Sequence, residues 1–322
     1  MKLGVLTNLF GNMPFEEALK KFKKMGIESV EIGCGGYPGK SHCDPEILLS
    51  DEVALAEWLA LIDEYGMEVS ALSVHGNPVH PSKSEAERYH KDFENAVLLA
   101  EKIGVDTVVT FSGCPGGSPD DKMPNWATCA WPEEFLAVLD YQWNDVLIPY
   151  WKKTAEFCKA HGVNKIAFEM HPGFCVYNPE TLLKLRRAVG DVIGANFDPS
   201  HLIWQGIDPV AAIRALRGAI YHFHAKDTKI DKYNVAVNGV LDTKHYTDEA
   251  NRSWIFRSVG YGNGLDYWRN IISELRLSGY DKVMSIEHED SLMTAEEGLS
   301  HAAQFLLDSI IKEKKPTSIS WA

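Results

Sequence analysis

Four short apolar segments between Lys165 and Glu289 constrain the fold more than any other feature of the chain. They read KIAFEMHPG, IGANFDPSHL, IYHFHAKD and KVMSIEHED, and near its C-terminal end each carries one side chain that can bind a metal: Glu169, Asp198, His224 and Glu287. Segments with helical periodicity, such as NPETLLKLRRAVG, lie between them. Short apolar strands that alternate with amphipathic helices predict a parallel sheet. Because the four side chains stand at the same end of their strands, we expect the sheet to close around a common site.

The rest of the chain continues this alternation. Eight strand–helix units can be counted, with no internal repeat and no linker, so we predict one (β/α)8 TIM-barrel domain over residues 1–322. Two long segments interrupt the pattern, Gly113–Trp143 after the fourth predicted strand and Thr228–Gly264 after the seventh. Loops of this length in a compact domain are usually functional. Both leave C-terminal strand ends, so we expect them to overhang the active face.

Composition excludes several classes of partner. The formal net charge of -13 predicts an acidic surface that repels phosphate backbones, so no nucleic acid is expected. The six cysteines are scattered without a CxxC pair, which is typical of free thiols in a reducing compartment. No apolar stretch approaches the roughly 20 residues of a membrane span. We therefore expect a cytoplasmic protein that binds no membrane.

The predicted ligand set consists of three carboxylates and one imidazole. Such a hard, mostly oxygen site suits Mn²⁺, Mg²⁺ or Co²⁺ at least as well as Zn²⁺, and Mn²⁺ is our first expectation. Each acidic residue also has a structural interpretation, as a helix N-cap or as a partner in a loop salt bridge. The sequence DPS at Asp198, for example, is typical of the start of a helix. His222 is interpreted as a hydrogen-bonded residue of the barrel interior. The argument for a metal is the coincidence of all four positions on strands five to eight.

With these residues in place, the chain resembles the xylose isomerase-like (β/α)8 superfamily of sugar isomerases and epimerases, which also contains apurinic endonucleases. The resemblance covers nearly the whole chain. It implies that Glu169, Asp198, His224 and Glu287 bind a divalent ion, and that Glu169 and Glu287 are also the catalytic acid and base. The DPSH pattern, with His201 three residues after Asp198, and Glu31 on strand two also match the family.

The predicted reaction begins with removal of a proton next to a carbonyl, through a metal-stabilised enediolate. Return of the proton gives epimerisation or isomerisation. Loss of a leaving group instead gives a lyase or hydratase that acts on a 3-oxo-glycoside, as in C-glycoside deglycosidases that pair a barrel with a small subunit. An apurinic endonuclease is disfavoured, because Phe111–Ser112 offers no histidine ligand at the fourth strand end. A sugar-binding barrel without chemistry is disfavoured by the intact ligand set.

A second group of residues is expected to bind the substrate or to orient the ligands: Glu31, His75, His171, His201, Lys226, Arg257, Trp126 and Trp254. Trp126, Trp131 and Trp254 have two interpretations, stacking on a sugar or packing of the long loops. The expected substrate is a small sugar or keto-glycoside. We also expect a homo-oligomer, with a small accessory subunit in the deglycosidase-like alternative.

Overall fold

The strands that carry the predicted ligands belong to a closed parallel barrel. The computed structural model describes residues 1–314, 316, 318 and 321, so residues 315, 317, 319, 320 and 322 of the predicted domain lie outside the described residues. The barrel strands are β1 (Lys2–Leu6), β2 (Ser29–Gly33), β3 (Glu68–Ser73), β4 (Thr107–Thr110), β5 (Lys165–Glu169), β6 (Ile193–Phe197), β7 (Ile220–Ala225) and β10 (Val283–Ile286).

The order of these strands around the barrel is β1-β10-β7-β6-β5-β4-β3-β2, and the pairing of β1 with β2 closes it. All these pairs are parallel. The predicted (β/α)8 fold is confirmed. Because the strands are parallel, their C-terminal ends meet at one face, where such barrels carry their chemistry.

Helices connect the strands and cover the outside of the barrel. They are α1 (Phe15–Lys24), α2 (Pro45–Ser50), α3 (Glu52–Glu64), α4 (Lys83–Ile103), α5 (Glu134–Asp140), α6 (Ile148–Ala160), α7 (Pro179–Val189), α8 (Pro199–Ile203), α9 (Pro209–Ala215), α10 (Lys232–Asn238), α11 (Leu265–Leu277) and α12 (Ala295–Leu307). A 3-10 turn spans Thr7–Phe10 and a π-helical segment spans Tyr141–Leu147.

Local sequence explains where these helices begin. In α7, the Asn178 side chain accepts from Thr181 N while the Thr181 hydroxyl accepts from the Asn178 backbone, a reciprocal cap that satisfies two free donors. Pro179 occupies the first turn, where its missing N–H costs nothing. Asp208 caps α9 in the same way that Asp198 caps α8, by accepting a backbone N–H.

The main hydrophobic core lies between the barrel and its helices. Large side chains such as Phe22, Phe93, Trp151 and Trp268 are almost completely buried there. A separate small cluster of Ala71, Val109 and Ala167 comes from three neighbouring strands. Polar side chains of the barrel strands, among them Glu31, Asn196 and His222, are buried as well.

Both predicted long loops are present, and both contain regular structure. The segment after β4 runs through α5 and the π-helical segment into α6. The segment after β7 contains α10 between two short antiparallel strands, β8 (Asp227–Ile230) and β9 (Trp254–Arg257). Only one residue separates β8 from the end of β7, and β8 reads DTKI, so the sequence shows no separate apolar segment there.

Across the described residues, none of the helices combines the length and the apolar character that a membrane crossing requires.

Candidate metal centre

The four predicted ligands come from four strands that are neighbours in the barrel, β5, β6, β7 and β10. Glu169 is the last residue of β5, Asp198 and Glu287 directly follow β6 and β10, and His224 lies one residue before the end of β7. One ligand atom from each lies within 4.8 Å of the others. The structure therefore brings these four residues together at the C-terminal face.

Asp198 shows that its two sequence interpretations are compatible. Its Oδ1 accepts a hydrogen bond from Ser200 N at 2.8 Å and caps α8. Its Oδ2 lies 3.3 Å from His201 Nε2 and 3.4 Å from Lys226 Nζ, yet accepts no hydrogen bond from the described residues. One carboxylate oxygen therefore caps the helix, and the other faces the cluster of predicted ligands.

His224 is held between carboxylates on both sides of its ring. Nε2 lies 2.9 and 3.0 Å from the two oxygens of Glu31, which comes from β2 on the other side of β1 and β10. Nδ1 lies 3.1 Å from Glu169 Oε2 and 3.1 Å from Glu287 Oε2. A carboxylate behind a histidine fixes the tautomer, so Glu31 leaves the Nδ1 lone pair for an ion.

Glu169 is surrounded by donors. His75 Nε2 and Asn196 Nδ2 lie 3.1 and 3.3 Å from its Oε2. His201 Nε2 lies 3.0 Å from its Oε1, within ion-pair distance but not hydrogen-bonded to it. His75 and His201 were predicted to orient ligands or bind substrate, and the structure places both against this carboxylate.

Lys226 places a buried ammonium at the edge of the cluster. Its Nζ lies 2.9 Å from Glu287 Oε2 and 2.8 Å from Glu289 Oε2, over the ring of Phe256. The side chain is 2 % exposed, whereas that of Glu289 is 48 % exposed. Lys226 therefore links a predicted ligand to a carboxylate that reaches solvent.

Burial and neighbouring charges shift the pKa values of the cluster in opposite directions. Burial raises the pKa of Asp198. Burial also acts to raise the pKa values of Glu169 and Glu287, but neighbouring charges outweigh it. The histidines around Glu169 hold its pKa well below its usual range. Lys226 and His224 lower the pKa of Glu287 to about 2. Burial lowers the pKa of His224 and of Lys226, but the carboxylates outweigh it and raise both. The cluster therefore contains opposite charges close together, with the carboxylates of Glu169 and Glu287 beside the cationic groups of His224 and Lys226.

These residues fit a divalent cation. Asp198 Oδ2 and His201 Nε2 are buried and have no hydrogen-bond partner among the described residues. Buried polar atoms normally have partners, so these two atoms beside the carboxylates of Glu169 and Glu287 offer contacts that a cation could satisfy. Two alternative groups share members with this one: Glu169, His171 and His201, and Glu31, His222 and His224.

Comparison with known proteins places the chain in a family. The sequence model described as xylose isomerase-like TIM barrel matches residues 19–309. The chain belongs to the xylose isomerase-like TIM barrel family. The resemblance inferred from the strand-end residues is confirmed.

Two curated proteins are similar to this family member over most of their length. The uncharacterized protein YfiH of Bacillus subtilis is 42 % identical over 313 residues, which cover 96 % of this chain and 99 % of YfiH. The rhizopine catabolism protein MocC of Rhizobium meliloti is 27 % identical over 286 residues, which cover 87 % of this chain and 76 % of MocC.

Solved structures share the fold at low sequence identity. The probable 3-DHS dehydratase AsbF of Bacillus anthracis has a TM-score of 0.66 at 18 % identity, covering 95 % of this chain and 99 % of AsbF. The IOLI protein, solved with a zinc atom, has a TM-score of 0.64 at 20 % identity, covering 96 % and 98 % of the two chains. An L-ribulose 3-epimerase has a TM-score of 0.61 at 16 % identity, covering 96 % and 94 %.

In this xylose isomerase-like barrel, a cavity of about 450 Å³ opens beside the cluster. Its lining residues are His171, Tyr246, Ile255, Phe256, Glu289 and Ser291. His171 packs against His201 with ring centroids 4.1 Å apart, and burial lowers the pKa of His171 to about 3. His171 therefore connects the cavity to the predicted ligands. A larger cavity of about 630 Å³ lies at the starts of the strands, at the opposite face.

Three residues predicted to bind substrate lie outside the cluster. Arg257 Nε binds Asp290 Oδ2 at 2.9 Å. Trp254 is 4 % exposed and stacks on Trp204 at 4.6 Å. Trp126 is half-buried and donates from Nε1 to Phe174 O at 3.0 Å. These contacts join the two long loops to neighbouring parts of the barrel, and a substrate contact for the three side chains stays a prediction.

Sequence reasoning missed three residues that organise the site: Asn196, Asp227 and Glu289. Asp227 directly follows Lys226, and its carboxylate accepts from the backbone N–H groups of Gly260, Gly262 and Asn263. It holds the end of the second long loop in place. Asn196 lies two residues before Asp198 and Glu289 two residues after Glu287, so alternation along the chain from each ligand could have indicated both.

Proposed function

We propose that this protein is a divalent-metal-dependent sugar isomerase or epimerase. The observation that carries the proposal is the convergence of Glu169, Asp198, His224 and Glu287 within 4.8 Å at the end of the barrel beside an open cavity. Two carboxylates that can share one ion and face a substrate are what proton transfer next to a carbonyl requires. The L-ribulose 3-epimerase with the same fold supports this reaction class.

The proposed ion is Mn²⁺, with Mg²⁺, Co²⁺ and Zn²⁺ as alternatives. Three carboxylates and one imidazole form a hard donor set that suits Mn²⁺. When bound, a divalent ion supplies Lewis-acid activation of a carbonyl and a neighbouring hydroxyl. Glu169, Asp198, Glu287 and Nδ1 of His224 would hold it. The zinc-bound IOLI structure supports a metal in this fold.

Glu169 and Glu287 are the proposed proton acceptor and donor. They come from β5 and β10, which β6 and β7 separate in the barrel, so they approach a substrate from two sides. One carboxylate removes the proton next to the carbonyl and the other returns it. Return to the same carbon gives an epimer, and return to the neighbouring carbon converts an aldose into a ketose or the reverse.

We propose an unphosphorylated sugar as the substrate. Tyr246 and Phe256 stack at 5.8 Å and give the cavity an aromatic wall, a surface that suits the C–H face of a sugar ring. The nearby cations already have partners, because Lys226 binds Glu287 and Glu289, and Arg257 binds Asp290. Glu289 adds negative charge to the lining and repels a phosphate group.

Lys226 and Glu289 favour a second candidate, a lyase that eliminates a leaving group from a 3-oxo-glycoside. The ammonium lies 2.8 Å from a carboxylate that reaches solvent, so this pair can deliver a proton to a departing oxygen or carbon at the cavity mouth. The fold shared with the probable dehydratase AsbF supports elimination chemistry.

The test is a screen of ketoses, aldoses and 3-oxo-glycosides with Mn²⁺ in heavy water. Deuterium incorporated next to the carbonyl, or at the carbon that receives the proton, is expected for an epimerase or isomerase. An elimination leaves a C=C bond at that carbon, so the lyase is recognised instead by a primary isotope effect on substrate that is deuterated there. An epimer or isomer supports the first proposal, and an elimination product the second. Glu169→Gln and Glu287→Gln, which keep the shape but remove the basic oxygen, should abolish exchange. Turnover with neither exchange nor an isotope effect on that C–H would overturn both candidates.

A further inference from the structure

Two buried polar side chains, Asn196 and His222, lie in the barrel interior next to the predicted ligands. Asn196 is fully buried and His222 is 2 % exposed. The interior of a (β/α)8 barrel is usually filled by branched apolar residues. A buried amide or imidazole is costly unless it is hydrogen-bonded, so the partners of these two residues show what they stabilise.

The two side chains form a continuous hydrogen-bond chain that ends on Glu169. Asn196 Nδ2 lies 3.3 Å from Glu169 Oε2, and His222 Nδ1 lies 3.2 Å from Asn196 Oδ1. The carboxylate accepts, so the amide nitrogen must face it and Oδ1 must face His222. His222 Nδ1 therefore carries the proton in this contact. At its other end, His222 Nε2 lies 3.3 Å from the Ser70 hydroxyl.

A β-bulge makes this chain possible. Glu169 of β5 pairs with Asn196 of β6 in regular register. Between β6 and β7 the register shifts, from Ala195 opposite Ile220 to Asn196 opposite His222, so that Tyr221 is the extra residue. Without the shift, Tyr221 would lie opposite Asn196. Bulges next to active sites typically re-aim one side chain, and this one aims His222 at Asn196.

The Asn196 contact differs from the others that Glu169 makes. Three imidazole rings also lie against the carboxylate, those of His75, His201 and His224. An imidazole gains or loses a proton with pH and with metal binding. The amide neither gains nor loses a proton. It therefore offers Glu169 a donor from inside the barrel in every state of the site.

We propose that Asn196 and His222 are positioning residues for Glu169. His222 orients the Asn196 amide, and the amide holds the Glu169 carboxylate in the orientation in which it binds the ion. This inference rests on the proposed metal-dependent function. The register of β5 with β6 and the bulge between β6 and β7 bring Glu169, Asn196 and His222 together.

Mn²⁺ affinity of the full chain tests the proposal without any knowledge of the substrate. Electron paramagnetic resonance measures the concentration of free Mn²⁺, which gives the dissociation constant of the wild type, His222→Asn and His222→Gln. An Asn nitrogen can occupy the position of Nδ1, whereas the longer Gln reaches the position of Nε2. We expect His222→Asn to stay within about threefold of the wild type and His222→Gln to bind about 10–100-fold more weakly. His161→Asn and His161→Gln are matched controls, since His161 pairs with Glu101 far from the cluster of predicted ligands.

A second measurement uses the 630 Å³ cavity, which reaches Ser70 and His222 from the base of the barrel. Imidazole should restore Mn²⁺ affinity to His222→Gly but not to the double variant His222→Gly, Asn196→Ala. Equal affinities for the wild type, His222→Asn and His222→Gln, with no rescue, would overturn the positioning role while the metal site stands. A wild-type protein that binds no divalent ion would overturn the proposed function and this inference with it.

Discussion

His224 Nε2 lies 2.9 and 3.0 Å from the two carboxylate oxygens of Glu31, and both residues are completely buried. The Ser285 hydroxyl also donates to Glu31, at 2.6 Å, so the carboxylate is itself fixed. This arrangement turns Nδ1 of His224 toward Glu169 and Glu287. A residue from the start of the chain thus fixes which nitrogen of His224 faces the two carboxylates.

Glu31→Gln should weaken metal binding about 10–100-fold, the effect typical of partners behind a metal ligand. Gln keeps the shape but loses the charge that orients His224 and makes its ring more basic. Isothermal titration with Mn²⁺ measures the change. Glu101→Gln removes a similar carboxylate from the surface histidine His161 and should leave affinity unchanged. Equal affinity in Glu31→Gln and the wild type would contradict the orienting role.

The double variant Asp198→Asn, Glu287→Gln should lose bound metal, because two of three carboxylates become neutral amides. The loss of metal affinity should be larger than the roughly 10–100-fold effect expected when a residue behind a metal ligand is replaced. Elemental analysis of the purified protein measures metal content, with Glu57→Gln, Asp63→Asn as a surface control of equal charge. An anomalous peak away from the four residues in Mn²⁺-soaked crystals would show that the ligand set is wrong.

Trp254→Ala should destabilise the fold by about 3–5 kcal/mol, the usual cost of truncating a buried tryptophan. One face of the ring is stacked on Trp204, and Nε1 donates to Val240 O at 3.0 Å. Urea denaturation measures the free energy of unfolding. Trp131→Ala, at a position that is 80 % exposed, should change it by less than about 0.5 kcal/mol. Unchanged stability with a raised KM would instead favour the substrate-stacking role predicted from the sequence.

Asp227→Asn should loosen the second long loop and reduce turnover. The carboxylate accepts from Gly260 N, Gly262 N and Asn263 N at 3.1, 3.2 and 2.9 Å, and an amide group there leaves donors unpaired at about 1–3 kcal/mol each. Hydrogen exchange should show faster exchange over residues 258–264. Asp248→Asn, which removes a surface acid of the same loop, is the control. Unaltered exchange would show that other contacts hold the loop.

The barrel and the positions of its ligands could be predicted because both depend on local patterns. Strand and helix periods are readable over ten residues, and a residue that ends a parallel strand must lie at the common face. These two patterns were sufficient to predict that four side chains lie together: Glu169, Asp198, His224 and Glu287. The same pattern missed β8 and β9, which pair with each other within the second long loop and belong to no strand–helix unit of the barrel.

The partners of those ligands depended on barrel closure. Glu31 meets His224 across 193 residues of sequence, and it does so only because β1 pairs with both β2 and β10. His222 faces Asn196 because of a bulge that no local sequence pattern marks. Arg257 and Trp254 had the right residue types for sugar contacts, but folding of the loop directs them to Asp290 and Trp204. By itself the sequence determined which strands, and which ends of them, carry the candidate ligands. Only the tertiary structure decided which atoms meet, because alternation is local while register, closure and bulges are properties of the whole barrel.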